Sequence, residues 1–209
     1  MKITSIDVYD FGKCLNYEDC SPICIRINTD AGISGFGEVG LAYGNAHNAG
    51  VWMVKDFGQL IIGMDPLRSE AIREKLFRTT FWGMGGGTVI NAGMSAIDIA
   101  LWDIKGKYYN APVYQLLGGK INEKLRAYAS QIQFDWGPIC APMVTPEDYA
   151  SAARKAMAEG YTAVKVDPVG FNMKGNWMEW SNYGLLEYDQ MKAAVDRVAA
   201  IREAGGPGL

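Results

Sequence analysis

The order of strand and helix patterns changes near Leu125, and few folds accommodate that change. Before this point the sequence predicts strands followed by helices, whereas after it strands and helices alternate. Alternation is typical of a parallel sheet or barrel, because two parallel strands need a crossover connection, usually a helix. We therefore predict an α+β domain over residues 1–124 and the first β/α units of a parallel sheet or barrel over residues 125–209.

The first forty residues predict a small antiparallel sheet. In residues 23–28 an isoleucine recurs at every second position, which is the period of a half-buried strand. Residues 29–32 predict a tight turn and residues 33–39 the returning strand. Within that strand, Gly35 and Gly37 allow a bulge or the close approach of another backbone.

From about Ala46 to Asn110 the pattern is helical. Asp65-Pro66 marks the start of one helix, and residues 88–109 predict a longer one. The longer segment has apolar residues at helical spacing, which predict a buried stripe: Met94, Ile97, Leu101 and Ile104.

The second domain contains two predicted strands, over residues 125–130 and 161–166. Between them, Thr145 followed by Pro146 is a typical start for a helix, which then ends at Gly160. A later amphipathic helix is predicted from three apolar residues: Met191, Val195 and Val198. Two strands and two helices leave a sheet edge exposed. We therefore expect further strands, either from a continuation of the sequence or from another chain.

Charge and residue usage argue against several functions. The net charge of -3 and the absence of a basic stripe predict no nucleic-acid partner. No apolar run approaches the ~20 residues of a membrane helix, so we expect no membrane segment. Four sparse cysteines without a CxxC pair indicate reduced thiols in a cytoplasmic protein. The single histidine, His47, argues against a zinc site or a Ser-His-Asp triad.

The sequence contains three recognisable motifs. They are TDAGISGFGE at residues 29–38, GMSAIDIALWDIKGKYYNAPVYQLLGG at residues 93–119, and GYTAVKVD at residues 160–167. The second is the most specific, because a long helix ending in K-x-x-N-x-P-V-Y-x-L-L-G-G is hard to reach by chance. Together they resemble the mandelate racemase and muconate lactonizing enzyme branch of the enolase superfamily. This resemblance implies an α+β capping domain followed by a modified TIM barrel, with the active site at the carboxyl ends of its strands.

The resemblance also implies a reaction, the abstraction of a proton next to a substrate carboxylate. In the family a divalent cation, usually Mg²⁺, stabilises the enediolate intermediate, and a Lys or His is the base. Three acidic metal ligands lie at the ends of the third, fourth and fifth barrel strands. Because a complete barrel takes ~250 residues, we expect the metal ligands beyond Leu209 and none within this chain.

Lys165 and Asp167 are the catalytic candidates implied by the resemblance. Many family members carry Lys-x-Lys at the end of the second barrel strand, with the second lysine as the base and the first near the substrate carboxylate. Lys165 matches the first lysine, whereas Asp167 replaces the second and is a weaker base or a partner for a substrate hydroxyl. Racemisation needs a base on each face of the carbon, so this replacement favours dehydration. Without the resemblance, Lys165 is a lysine at a strand end and Asp167 an ordinary turn residue.

Four further residues are candidates for substrate binding. Asn16 and Tyr17 fall where the first specificity loop of the capping domain would lie, and His47 where the second would lie. Trp82 precedes a glycine-rich loop over residues 83–87. Each has a structural alternative: an exposed connection for Asn16 and Tyr17, a helix start or surface position for His47, and the core for Trp82.

The function predicted for the complete protein is a Mg²⁺-dependent lyase that dehydrates a sugar acid through an enediolate. A racemase, epimerase or cycloisomerase of the same superfamily is the alternative. A non-catalytic fragment that lacks the metal ligands is an alternative of another class. The expected partner is a small-molecule carboxylate, and the resemblance implies a homo-oligomer.

Overall fold

The structure is a computed structural model that describes residues 1–13, 20–137, 141–178 and 184–209. It divides into two compact units, Met1–Ile121 and Asn122–Leu209, which we call unit 1 and unit 2. The sequence patterns place this boundary after residue 124. Each unit has its own cluster of buried apolar side chains.

Unit 1 contains an antiparallel three-stranded sheet in the order β1-β2-β3. Its strands are β1 (Ile3–Asp10), β2 (Ile23–Thr29) and β3 (Ser34–Val39). The alternation in β2 has the predicted result, because Ile23, Ile25 and Ile27 are fully buried. The small antiparallel sheet expected from the first forty residues is thus confirmed.

The helices of unit 1 follow the sheet. They are α1 (His47–Ile61), α2 (Ser69–Thr79), α3 (Thr88–Tyr109) and α4 (Val113–Leu116), with a 3₁₀ turn at Trp82–Gly85. The prediction that Asp65-Pro66 opens a helix is wrong by a few residues. There Leu67 N donates to Asp65 Oδ1 at 3.1 Å, which closes a turn before α2 begins at Ser69.

Helix α3 packs directly on β3, and two glycines make this possible. A Cβ at Gly35 would lie 2.0 Å from the carbonyl oxygen of Ala100, and one at Gly37 would lie 1.9 Å from that of Ala96. The predicted close approach of another backbone is therefore confirmed. Most of the predicted stripe on α3 is also buried, namely Ile97, Leu101 and Ile104, while Met94 is partly buried.

Within its described residues, unit 2 contains two short parallel segments and two helices. The segments pair through a bridge between Ala129 and Val164, so regular pairing is shorter than the predicted strands. The remaining elements are α5 (Pro146–Ala158), α6 (Tyr188–Gly205) and 3₁₀ turns at Ile132–Phe134 and Gly206–Gly208. Thr145 caps α5 as predicted, because its Oγ1 accepts from Asp148 N at 3.2 Å and its N donates to Asp148 Oδ2 at 2.7 Å.

Helix α6 is confirmed, but its apolar stripe does not face the core of unit 2. Met191, Val195 and Val198 are all at least 45% exposed, whereas Arg197 is 2% and Ile201 6% exposed. Arg197 is buried because backbone carbonyls of unit 2 accept its N–H groups. Apolar spacing alone does not identify that face, since the partners of Arg197 lie far away in sequence.

Candidate functional site

The carboxyl ends of the two parallel segments of unit 2 lie side by side. Ala129 N donates to Ala163 O at 2.9 Å, and Lys165 N donates to Ala129 O at 2.7 Å. Ala129 and Val164 belong to the apolar cluster formed with α5 and α6, whereas Lys165 is exposed. Because side chains alternate across a strand, Lys165 lies on the face opposite that cluster.

Asp167 lies two residues beyond Lys165 and begins the turn that follows this segment. Its Oδ1 accepts from Val169 N at 3.2 Å, and its carbonyl oxygen accepts from Gly170 N at 3.4 Å. The side chain of Asp167 is thus tied to the turn through one carboxylate oxygen. The two catalytic candidates therefore lie together at one strand end, where α/β folds commonly bind ligands.

Two glutamines complete this edge of unit 2. Gln133 is 1% exposed, and its Oε1 accepts from the backbone N of Asp167 at 3.1 Å. Its Nε2 donates to Oε1 of Gln131, which is exposed. Neither glutamine belongs to the three motifs that carry the resemblance, although two polar side chains directly after a predicted strand are a usable signal.

Arg197 on α6 holds the loops behind this edge. Its Nε and Nη2 donate to Val144 O at 3.0 and 2.8 Å, and its Nη1 donates to Pro168 O at 2.7 Å and Phe171 O at 2.8 Å. Nη2 also contacts Sδ of Met173 at 3.7 Å. The buried guanidinium therefore finds an acceptor for each of its N–H groups without a carboxylate. It fixes the loop after Asp167 to α6.

An aromatic cluster covers the same loop. Phe134 stacks on Trp177 with ring centroids 5.5 Å apart, and the edge of Phe171 contacts both rings. A Cβ at Gly170 would lie 2.7 Å from the ring of Trp177, so a side chain there would displace that ring. The cluster and Arg197 together position the backbone that follows Asp167.

The carboxylates around α5 already have partners. Lys155 Nζ donates to Asp135 Oδ1 at 2.7 Å, and this hydrogen bond lowers the pKa of Asp135. Hydrogen bonds from the backbone of Thr145 lower the pKa of Asp148. Within the part of the chain that the structure describes, Lys165 by contrast has no carboxylate within ion-pair distance. Its charge is available to an anionic ligand.

His47, at the start of α1, joins two neighbouring segments of unit 1. Its Nδ1 donates to Ser21 O at 2.9 Å, and its Nε2 lies 2.9 Å from Asp10 Oδ2. Because both partners are acceptors, the protonated ring is favoured. The hydrogen bond to Asp10 raises the pKa of His47, and the same bond lowers the pKa of Asp10. This geometry matches the helix-start alternative and leaves neither ring nitrogen free for substrate.

Of the other three substrate-binding candidates, the structure describes Trp82. Trp82 is 73% exposed, with the ring of Phe81 set edge-on against it at 5.0 Å, so the core alternative for Trp82 is wrong in unit 1. Asn16 and Tyr17 lie outside the described residues. Their proposed contacts with substrate remain predictions.

Among residues 1–13, 20–137, 141–178 and 184–209, no group of three or more His, Cys, Asp or Glu is placed to hold a metal ion. Asp167 is a single carboxylate, so this edge does not fit the three-ligand magnesium site that the resemblance implies. Cys24 is a free thiol. In the described ranges, no helix has the length and apolar character needed to cross a membrane.

Comparison with known proteins shows similarity along most of the chain. Residues 16–118 match the family described as mandelate racemase / muconate lactonizing enzyme, N-terminal domain. A D-galactonate dehydratase of Variovorax paradoxus is 39% identical over 205 residues, which cover 98% of this chain and 45% of that protein. A D-galactonate dehydratase family member of Pseudarthrobacter chlorophenolicus is 39% identical over 128 residues, or 61% of this chain and 29% of that protein.

The fold is similar to that of a solved structure. A crystal structure of a member of the enolase superfamily from Salmonella Typhimurium has a TM-score of 0.91 and 51% sequence identity, covering 99% of this chain and 52% of that one. Nearly all of this chain is matched in these two relatives, and it spans about half the length of each. Similarity therefore extends across both units.

Proposed function

Since the chain belongs to the mandelate racemase and muconate lactonizing enzyme branch of the enolase superfamily, we propose that the whole protein is a sugar-acid dehydratase. The observation that carries this proposal is the pair Lys165 and Asp167 at the carboxyl end of one of the two parallel segments. A cation and a carboxylate two residues apart suit a substrate with a carboxylate beside a hydroxylated carbon. The similarity to D-galactonate dehydratases favours an aldonate such as D-galactonate.

Lys165 is proposed to bind the substrate carboxylate. It is exposed, and within the described residues no carboxylate competes for its charge. A bound cation disperses negative charge that develops on the carboxylate, which makes the neighbouring carbon a stronger acid. Lys165 thus both orients the substrate and favours loss of its α-proton.

Asp167 is proposed to act as a weak base or as a hydrogen-bond acceptor for a substrate hydroxyl. One of its oxygens already accepts from Val169 N, and the carboxylate has further lone pairs for a ligand. In the dehydration, a base removes the α-proton and the C–H electrons form the enediolate. An acid then protonates the leaving hydroxyl, water departs, and the enol product becomes a 2-keto-3-deoxy acid.

Magnesium belongs to the proposal for the whole protein. When bound, it would stabilise the negative charge of the enediolate. The described residues do not form its site, so we propose that acidic residues outside this chain hold it, and no role given to Lys165 or Asp167 depends on it. We also propose that the whole protein is a homo-oligomer in the cytoplasm and that its cysteines are reduced.

The test is to supply the whole protein with Mg²⁺ and a panel of sugar acids and to measure 2-keto-3-deoxy products. We expect product from at least one acid, and Lys165→Met to lower kcat/KM for that acid by about 100-fold. Lys124→Met, which removes an exposed lysine, serves as the matched control and retains activity. Absence of product across a broad panel would overturn the proposal.

A racemase, epimerase or cycloisomerase is the alternative within the superfamily, because Lys165 suits any carboxylate substrate. Exchange of the α-hydrogen for deuterium without loss of water would favour a racemase or epimerase over dehydration. The alternative of another class is a non-catalytic fragment without metal ligands. Titration calorimetry of the 209-residue chain with Mg²⁺ tests it, since one tight stoichiometric site would exclude that alternative.

A further inference from the structure

Pairing between the two parallel segments of unit 2 becomes irregular at Gln131. In a regular parallel ladder, the next bonds would run from Gln131 N to Lys165 O and from Asp167 N to Gln131 O. Instead, Ile132 N donates to Lys165 O at 3.3 Å, and Asp167 N donates to the side chain of Gln133 at 3.1 Å. One extra residue is thus inserted into the first segment, in the manner of a β-bulge.

The inserted residue has a backbone conformation that side chains rarely adopt. Gln131 has a φ of 65°, in the left-handed region. For a residue with a Cβ, this conformation costs on the order of 1 kcal/mol, whereas glycine adopts it freely. Gln131 is exposed, so burial of its side chain does not offset the cost. Bulges of this kind often lie next to active sites, where they re-aim a side chain.

The hydrogen bonds fix which end of the Gln131 amide faces a ligand. The backbone N of Asp167 can only donate, so Gln133 must present its Oε1 there. The Nε2 of Gln133 therefore faces Gln131, which must accept with its own Oε1. This leaves the Nε2 N–H pair of Gln131 without an acceptor among the residues that the structure describes.

We propose that Gln131 contacts the substrate, with its Nε2 donating a hydrogen bond to an oxygen of the sugar acid beside Lys165. The inference rests on the proposed function and adds a specificity residue to the same edge. An amide held with its N–H pair outward selects an oxygen that can accept, and a hydroxyl oxygen of the sugar acid fits this role because Lys165 is proposed to bind the carboxylate. Gln133 is the positioning residue, because its Nε2 donates to Oε1 of Gln131 while its own Oε1 accepts from the backbone N of Asp167.

Two substitutions of Gln131 in the whole protein test the contact. Gln131→Met keeps the length of the side chain and removes the donor, and we expect it to lower kcat/KM for the sugar acid by about 10- to 100-fold. Gln131→Gly removes the side chain but suits a φ of 65°, so we expect the same loss of activity with no fall in thermal midpoint. Gln59→Met, on the exposed side of α1, is the matched control.

A direct contact between Gln131 and the substrate predicts a result that a purely structural role of Gln131 does not. A substrate analogue that lacks the contacted oxygen should lose about as much activity with the unsubstituted protein as Gln131→Met loses with the full substrate. With Gln131→Met, the same analogue should lose nothing more. Additive losses for every deoxy analogue would overturn the inference.

The inference and the proposed function fail in different ways. If the unsubstituted protein forms 2-keto-3-deoxy product and both Gln131 variants retain its kcat/KM within about twofold, the inference is wrong and the function stands. If the unsubstituted protein turns over no sugar acid, the proposed function is wrong and the inference is rejected with it.

Discussion

The backbone N of Asp167 donates to the side-chain Oε1 of Gln133 at 3.1 Å, across a sequence separation of 34 residues. A side chain thus occupies the place that a strand carbonyl would take in a regular parallel ladder. Gln133 is 1% exposed, so this bond is shielded from water. The position of Asp167 therefore depends on a residue of the neighbouring segment, and through it on the conformation of Gln131.

Removal of this acceptor should destabilise the edge. Gln133→Met keeps the size of the side chain but leaves the N–H of Asp167 unpaired in a partly buried place, and we expect the free energy of unfolding to fall by about 1–3 kcal/mol. Urea denaturation followed by circular dichroism measures the change. Gln59→Met is the control and should change stability by less than about 0.5 kcal/mol. Equal stability of the two variants would show that the Gln133 bond contributes nothing.

Arg197 should be hard to replace. Arg197→Met leaves the carbonyl oxygens of Val144, Pro168 and Phe171 without their donor, and we expect a loss of about 3 kcal/mol or more in the free energy of unfolding. Arg197→Lys should recover only part of this loss in unfolding free energy. A lysine has a single ammonium group, whereas the planar guanidinium of arginine directs its N–H groups to several carbonyl oxygens at once. The same denaturation experiment measures both variants.

The matched control for Arg197 is Arg154→Met on α5. Arg154 is half-exposed and pairs with Glu147 at the surface, where an ion pair contributes about 0–1 kcal/mol. A loss in Arg197→Met no larger than that of Arg154→Met would contradict the proposed role of the buried guanidinium.

The pair of His47 and Asp10 should make stability depend on pH. Its hydrogen bond raises the pKa of His47 from 6.5, so the histidine contribution is fully present below 6.5 and is lost as pH rises through the pKa of the folded state. The same bond lowers the pKa of Asp10 from 3.8, so that contribution is present above 3.8 and is lost as pH falls through the folded value. The stabilisation is therefore greatest between these limits.

Nuclear magnetic resonance can follow this titration directly, because the chain has one histidine. We expect the imidazole of His47 to titrate above 6.5, and Asp10→Asn to lower its pKa. The difference in unfolding free energy between the unsubstituted protein and His47→Gln should shrink above neutral pH. An unchanged imidazole pKa in Asp10→Asn would mean that this hydrogen bond does not control the titration.

The contact of α3 with β3 should not tolerate a methyl group. A Cβ at Gly37 would lie 1.9 Å from Ala96 O, so Gly37→Ala must push helix and strand apart, and we expect a loss of about 3 kcal/mol in the free energy of unfolding. Gly40→Ala is the matched control, because a Cβ there meets no atom within 4 Å. In thermal denaturation, the midpoint of Gly37→Ala should be well below that of Gly40→Ala. Equal midpoints would refute the close approach of α3 to β3.

Several features of the fold were predictable because they depend on residues close together in sequence. The period of two in β2 follows from the alternation of side chains along a strand, and it identified the buried isoleucines. The limits of α3 and the cap formed by Thr145 and Asp148 follow from spacings within one helical turn. Gly35 and Gly37 likewise indicated either a bulge or a close backbone contact, and the structure shows the contact.

The candidate site was predictable only in part. The motif around Lys165 and Asp167 placed both residues at a strand end, and the structure puts that end beside Gln131 and Gln133. For His47, the sequence did not decide between substrate binding and a helix start. The structure places His47 at the start of α1 in contact with Asp10 and Ser21, which no local pattern encodes, and its contact with substrate stays a prediction.

The sequence by itself determined the elements and their order, because helix and strand patterns arise from neighbours a few residues apart. Only the tertiary structure decided that Arg197 rather than the apolar stripe of α6 faces inward, and that Gln133 replaces a carbonyl for Asp167. The physical reason is that buried polar groups must find hydrogen-bond partners. Arg197 donates to Val144 O, which is 53 residues away in sequence, so this hydrogen bond forms only when the chain has folded.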